Sequence, residues 1–131
     1  MTGVTVSAVD SDTDFWGTTA SDMQTGITVA NGAITGTLKK LTSGQLVTDW
    51  GEGYFLGLAF TDLDSRAATV KVGLRPSQGS GLVDIIPDPD RMGVFKITDK
   101  DTQRFVVESA DPSGTKTTQV FDLSGLTLES A

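Results

Sequence analysis

The sequence predicts an all-β domain: an antiparallel β-sandwich of the immunoglobulin-like or jelly-roll kind, with a partly closed barrel as the alternative. Short stretches of alternating apolar residues recur along the chain, and turn signals rich in Gly, Pro, Asn and Asp separate them every 8–12 residues. No stretch of 11 residues or more carries an amphipathic helical pattern. The count is eight or nine short strands in 131 residues, which is typical of sandwiches and barrels.

The most apolar stretch, residues 49–60, is predicted to contain the central strand, at 54–60. Two sets of apolar side chains alternate along it, so both faces of a strand would be apolar. A strand buried on both sides has this composition. The glycines disfavour a buried helix of the same length, because two of them precede the apolar run and one interrupts it. One set comprises Tyr54, Leu56, Leu58 and Phe60, and the other comprises Phe55, Gly57 and Ala59.

The clearest local signal is a hairpin within residues 26–38. Asn31-Gly32 is a preferred centre for a two-residue type I′ turn, because both positions need a positive φ. A turn there pairs Val29 with Ile34 and places these apolar residues on one face, with the threonines on the other. Further strands are predicted at 68–74, 82–86, 93–98, 103–109 and 116–122.

The chain is predicted to be one sandwich domain over residues 26–131, preceded by an N-terminal arm or peripheral strand over residues 1–25. Asp, Ser, Thr and Gly dominate residues 10–17, a composition typical of loops. The exception is Phe15-Trp16, a pair that either packs against the domain or anchors a partner.

The composition argues against most enzyme classes. With no His and no Cys, the chain has no Ser-His-Asp triad, thiol nucleophile or typical zinc site. Glu52, Asp84 and Glu108 offer carboxylates for acid–base chemistry, but nothing in the sequence brings two of them together, so we expect solvated side chains. We therefore predict a protein that is not an enzyme and binds no cofactor.

Acidic doublets of D-x-D spacing suggest Ca²⁺ binding at first sight. Residues 10–14 resemble the start of an EF-hand loop, but Phe15 stands where that loop needs Gly, and Ser21 where it needs Glu. Asp is a common turn residue, so turn chemistry explains the doublets and we predict no metal. The doublets are Asp10/Asp12/Asp14, Asp62/Asp64, Asp88/Asp90 and Asp99/Asp101.

The net charge of −7 disfavours nucleic acid and anionic membrane partners. Lys and Arg are scattered as single residues apart from Lys39-Lys40. The N-terminus has no basic and apolar leader, and no apolar run approaches the ~20 residues that span a membrane, so we expect no secretory signal and synthesis in a bacterial cytoplasm.

The chain contains the stretches WGEGYFL at residues 50–56, VGLRPSQGSGLV at 72–83 and GVFKITDK at 93–100. These stretches resemble small, uncharacterised structural proteins encoded by phages and prophages of Gram-positive bacteria, and the similarity extends from about residue 28 to 128. The resemblance carries over no catalytic or binding residue. It implies a capsid-associated or decoration-type component of the virion, which forms a homo-oligomer or assembles onto a capsid or tail through other virion proteins.

The alternative expectation is a carbohydrate- or surface-binding sandwich module. Trp16, Trp50 and Tyr54 are the aromatic side chains that could stack on sugar rings. The candidate partner or ligand contacts are Phe15, Trp16 and Trp50. Packing into the core is the competing explanation for such residues.

Overall fold

Twelve strands and one short helix make up the described chain. The structure, a computed structural model, describes residues 4–15, 17–42, 51–62, 69–76, 84–85 and 91–129. The elements are β1 (Val4–Ala8), β2 (Asp14–Phe15), β3 (Thr18–Thr19), α1 (Ala20–Met23), β4 (Gln24–Ala30), β5 (Ala33–Lys39), β6 (Tyr54–Asp62), β7 (Thr69–Pro76), β8 (Asp84–Ile85), β9 (Arg91–Ile97), β10 (Gln103–Ala110), β11 (Lys116–Asp122) and β12 (Leu126–Glu129).

The main strands form two open sheets packed face to face, which confirms the predicted all-β sandwich. The small sheet has the order β1-β6-β9, and the large sheet has the order β12-β5-β11-β10-β7-β8 with β4 paired to β5. The described strands do not close into a barrel, and β2 and β3 form a separate two-stranded ribbon. The large sheet is mixed, because β5 runs parallel to β11 and β12, while the other described pairings are antiparallel.

β6 is the central strand of the small sheet, as its two apolar faces predicted. It pairs with β1 on one side and with β9 on the other, and both pairings are antiparallel. Leu56, Leu58 and Phe60 point into the main core between the sheets, whereas Phe55 points to the opposite side of the strand.

Aromatic rings fill the middle of the main core. Phe105 of the large sheet stacks on Phe60 of the small sheet with ring centroids 5.9 Å apart, and Phe95 approaches Phe105 edge-on at 5.0 Å. Phe121 lies beside Phe105 on the next strand of the large sheet. This cluster joins the two sheets through ring geometries that aromatic pairs prefer.

A second, smaller core lies on the outer side of the small sheet. The ribbon β2-β3 and the single turn of α1 supply Phe15, Ala20 and Met23, which are buried against Phe55 of β6. Leu41 and Val94 complete the buried cluster. This layer is not predictable from the sequence, because a four-residue helix and two-residue strands are too short to show a periodicity.

The β4-β5 hairpin has the predicted turn and register. Asn31 has φ 53° and Gly32 has φ 74°, and the pairs are Ala30–Ala33, Val29–Ile34 and Thr28–Thr35. The register shifts by one residue between Thr25 and Thr28, where Gly26 has φ 64°. This is a β-bulge at a glycine, which relieves the steric cost of a positive φ.

The N-terminal strand β1 packs against the sandwich of its own chain. β1 is an edge strand of the small sheet, and its Val4 and Val6 are buried in the main core. The side-chain amide of Gln119 on β11 accepts from the Val4 N–H at 3.1 Å and donates to the Val4 carbonyl at 3.0 Å. These bonds fasten β1 to the opposite sheet.

Candidate functional surfaces

Of the three predicted contact residues, the structure describes one, and it is buried. Phe15 is 3% exposed, and its ring closely approaches Gly57 of β6 in the second core. Phe15 therefore packs against its own domain, which is one of the two roles that the sequence suggested for the Phe15-Trp16 pair. Trp16 and Trp50 lie outside the described residues, and with them the carbohydrate-binding alternative.

The candidate catalytic carboxylates are not assembled into a described site. Glu52 is exposed just before β6 of the small sheet, and Glu108 lies half-buried on β10 of the large sheet. The side chain of Asp84 lies outside the described residues. Among the residues that the structure describes, no group of three acidic, His or Cys side chains is placed to hold a metal ion. No helix in the described ranges has the length and apolarity needed to cross a membrane.

Exposed aspartates stabilise turns through hydrogen bonds with nearby backbone N–H groups. Asp10 accepts from the N–H of Asp12 at 2.9 Å, and Asp99 accepts from that of Asp101 at 3.0 Å. A hydrogen bond with the side chain of Thr102 contributes most to lowering the pKa of Asp99 below its ordinary value. These two doublets therefore follow turn chemistry, as predicted. The doublets at 62/64 and 88/90 involve side chains outside the described residues.

A cleft of about 500 Å³ opens between the end of β1, α1 and the start of β4. The ammonium of Lys39 lies beside it and donates to the Ser21 carbonyl at 3.0 Å. The volume would suit a small molecule, but the described lining contains no aromatic ring and no carboxylate. It offers one cation, hydroxyls and an apolar floor, without a base near a nucleophile.

The outer face of the large sheet gathers cations that are scattered in the sequence. Phe105 and Val107 point into the main core, so Arg104 and Glu108 point outward from β10. Register places Arg75 opposite Arg104 and Lys71 opposite Glu108. We call this surface of β7, β10 and β11 the basic face; its charged residues are Lys71, Arg75, Arg104, Glu108, Lys116 and Asp122.

The basic face combines charge with an apolar centre. Val106 is fully buried within it, while Val120, directly opposite on β11, is 46% exposed. Arg104 approaches Asp122 at 3.7 Å, and no hydrogen bond or ion pair within the described chain engages the side chains of Arg75 and Lys116. Four cations and two carboxylates give the face a charge of +2, on a chain whose total is −7. The rest of the chain therefore carries −9.

An acidic surface lies on the other side of the sandwich. Residues 10–15 and 17–23 lie over the second core on the outer side of the small sheet, and the first 38 residues contain no Lys or Arg. We call this surface the acidic layer; its exposed carboxylates are Asp10, Asp12, Asp14 and Asp22. Lys39 reaches the layer, where it bonds the Ser21 carbonyl.

Sequence reasoning missed the basic face because its residues are far apart in the chain. Positions 71, 75, 104 and 116 become neighbours only when β7, β10 and β11 pair in register. The available signal was that each cation occupies an outward position of an alternating strand. Strand order, which the sequence does not provide, is needed to combine them.

Comparison with protein-family models, with curated proteins and with solved structures gives no match for this chain.

Proposed function

We propose that this protein is a non-enzymatic structural component of a phage or prophage particle, of the capsid-associated or decoration type. The observation that carries a structural role is the basic face: a cationic surface with an exposed apolar centre on an otherwise acidic chain. Arg residues around an apolar centre are typical of protein–protein contacts. The phage setting rests on the resemblance of residues 50–56, 72–83 and 93–100.

The open edge of the small sheet supports the same role. The backbone N–H and carbonyl of Gly57 bond to Gln24, on the β1 side of β6. Gly57 lies opposite Val94 of β9, and because its own backbone groups point toward Gln24, the two residues form a non-hydrogen-bonded pair. The N–H and carbonyl of Val94 therefore point away from β6. The same holds for Met92, two residues earlier on β9. In the described part of the chain these groups have no hydrogen-bond partner.

An edge strand with free backbone groups and an exposed apolar side chain favours contact with another chain. Met92 is 52% exposed on this edge. Other virion proteins, or further copies of this chain on a capsid or tail, are the partners we propose. The protein would reach them in the host cytoplasm, where particles assemble.

Quantitative mass spectrometry of particles purified from an induced lysogen that carries this gene tests the proposal. We expect the chain to co-purify with the particle in a fixed ratio to the major capsid or tail-tube protein. Many copies per particle indicate a capsid or tube partner, and a few copies indicate the tail tip. The proposal fails if washed particles contain no peptide of this chain while the lysate does.

A further inference from the structure

The basic face and the acidic layer lie on opposite sides of one domain. The two sheets pack through the main core, so the outer face of the large sheet and the outer side of the small sheet point in opposite directions. The first carries +2 around Val120, and the second exposes four aspartates alongside two cations, Lys39 and Lys96. The sandwich therefore has charge polarity across its thickness.

We propose that copies of this chain associate head to tail, with the basic face of one copy bound to the acidic layer of the next. This inference names a partner within the proposed structural role and rests on that role for its biological setting. A head-to-tail contact leaves one unused surface at each end, so it extends into a ring or a filament. Such assemblies are what a repeated structural component requires.

Local charge complementarity is expected to outweigh the repulsion between two chains of charge −7. At physiological ionic strength the screening length is about 8 Å, so distant charges contribute little and those in contact dominate. The alternative two-fold contact would place the basic face against itself and bring Arg75 and Lys116 near like charges. Complementary charges select the head-to-tail arrangement, and Val120 adds apolar area at its centre.

Two double variants test the two surfaces separately. Arg75→Glu with Lys116→Glu reverses the basic face, and Asp12→Lys with Asp22→Lys reverses part of the acidic layer. None of these four side chains makes a hydrogen bond or ion pair within the described chain, so the fold should be retained, which circular dichroism and thermal unfolding check. Self-association of the purified full chain is measured by sedimentation velocity over a concentration series.

We expect wild-type protein to associate with increasing concentration and each double variant to associate at least about tenfold more weakly. An equimolar mixture of the two variants should associate more strongly than either variant alone. The intact acidic layer of the first variant meets the intact basic face of the second, and the two reversed surfaces again carry opposite charges. Weak association of each variant alone, together with recovery in the mixture, is the result that a contact between the basic face and the acidic layer predicts.

The net charge supplies an internal control. Each substitution changes the charge by two, so the basic-face variant carries −11 and the acidic-layer variant −3, compared with −7. If general repulsion governed association, the acidic-layer variant would associate more strongly than wild type, and that result overturns the proposal. So does a wild-type protein that stays monomeric, or an acidic-layer variant that associates like wild type. None of these results bears on the proposed virion role, which mass spectrometry of purified particles tests separately.

Discussion

The side-chain amide of Gln24 takes the place of a missing strand beside Gly57. Its Nε2 donates to the Gly57 carbonyl at 3.0 Å, and its Oε1 accepts from the Gly57 N–H at 2.8 Å, and both bonds are buried. β1 ends at Ala8, opposite Leu58, so the next backbone position of β6 has no strand partner on that side. Gln24, the first residue of β4, supplies both bonds, so the backbone groups of Gly57 are paired where β1 has ended.

Replacing Gln24 with Leu should destabilise the protein by about 2–4 kcal/mol, because a buried N–H and a buried carbonyl lose their partners. Urea unfolding followed by circular dichroism measures the free energy. Gln103→Leu is the matched control: Gln103 also accepts two backbone hydrogen bonds, from Thr98 and Asp99, but these bonds are exposed and water can replace its oxygen. We expect less than about 1 kcal/mol for the control. Equal losses in both variants would contradict the assigned role of Gln24.

Gln119 plays the corresponding part for β1, and its loss should act locally. Gln119→Leu removes both bonds to Val4, so β1 should open more often than the rest of the small sheet. Hydrogen exchange measured by mass spectrometry should show faster exchange in residues 4–8 and little change in β9. The neighbouring exposed Thr118→Val is a control that leaves both bonds intact. Unchanged exchange in β1 would show that its pairing with β6 is sufficient.

The hairpin and the central strand could be predicted from sequence because their signals are local. Asn31-Gly32 specifies a turn whose register agrees with the apolar pattern of Val29 and Ile34, so two neighbouring segments determine the result. The second core and the basic face could not be predicted in this way, because they form between residues that are far apart in the sequence. Gln24 reads as an ordinary polar residue until β6 is placed beside it, and the parallel alignment of β12 with β5 joins segments about 90 residues apart.

Gly57→Ala should destabilise the domain through Phe15. A Cβ at position 57 would lie 2.7 Å from Cζ of Phe15, inside the second core. Overpacking of this kind costs about 1–3 kcal/mol. Phe15→Leu removes the far part of the ring, so the double variant should lose less stability than the sum of the two single losses. Additive losses in a double-mutant cycle would indicate that Gly57 is required by its backbone rather than by Phe15.

Gly32→Ala should weaken the hairpin even though there is room for the methyl group. The nearest atom to an added Cβ is the Val120 carbonyl oxygen at 3.9 Å, so the cost comes from the positive φ of 74°. We expect a loss of about 1–2 kcal/mol from this backbone conformation. Asn31→Gly tests the other turn position with a residue that accepts a positive φ, and it should change stability much less. If the two variants behave alike in thermal unfolding, the turn geometry does not govern the stability of the hairpin.

Asp111 should make the stability of the β10-β11 connection depend on pH in the acid range. Its hydrogen bond with the side chain of Ser113 and its bond from the Thr115 N–H lower the pKa of the carboxyl below its ordinary value. A folded-state pKa below the unfolded value means that the stabilisation is present above the ordinary pKa of about 3.9 and is lost as the pH falls through the folded-state value. Asp111→Asn keeps an acceptor oxygen but removes the charge. The variant should therefore be less stable than wild type at pH 7 and approach it under acid, which unfolding curves between pH 7 and the acid limit of folding would show. A stability difference that stays constant across this range would mean that the charge of Asp111 contributes nothing to the turn.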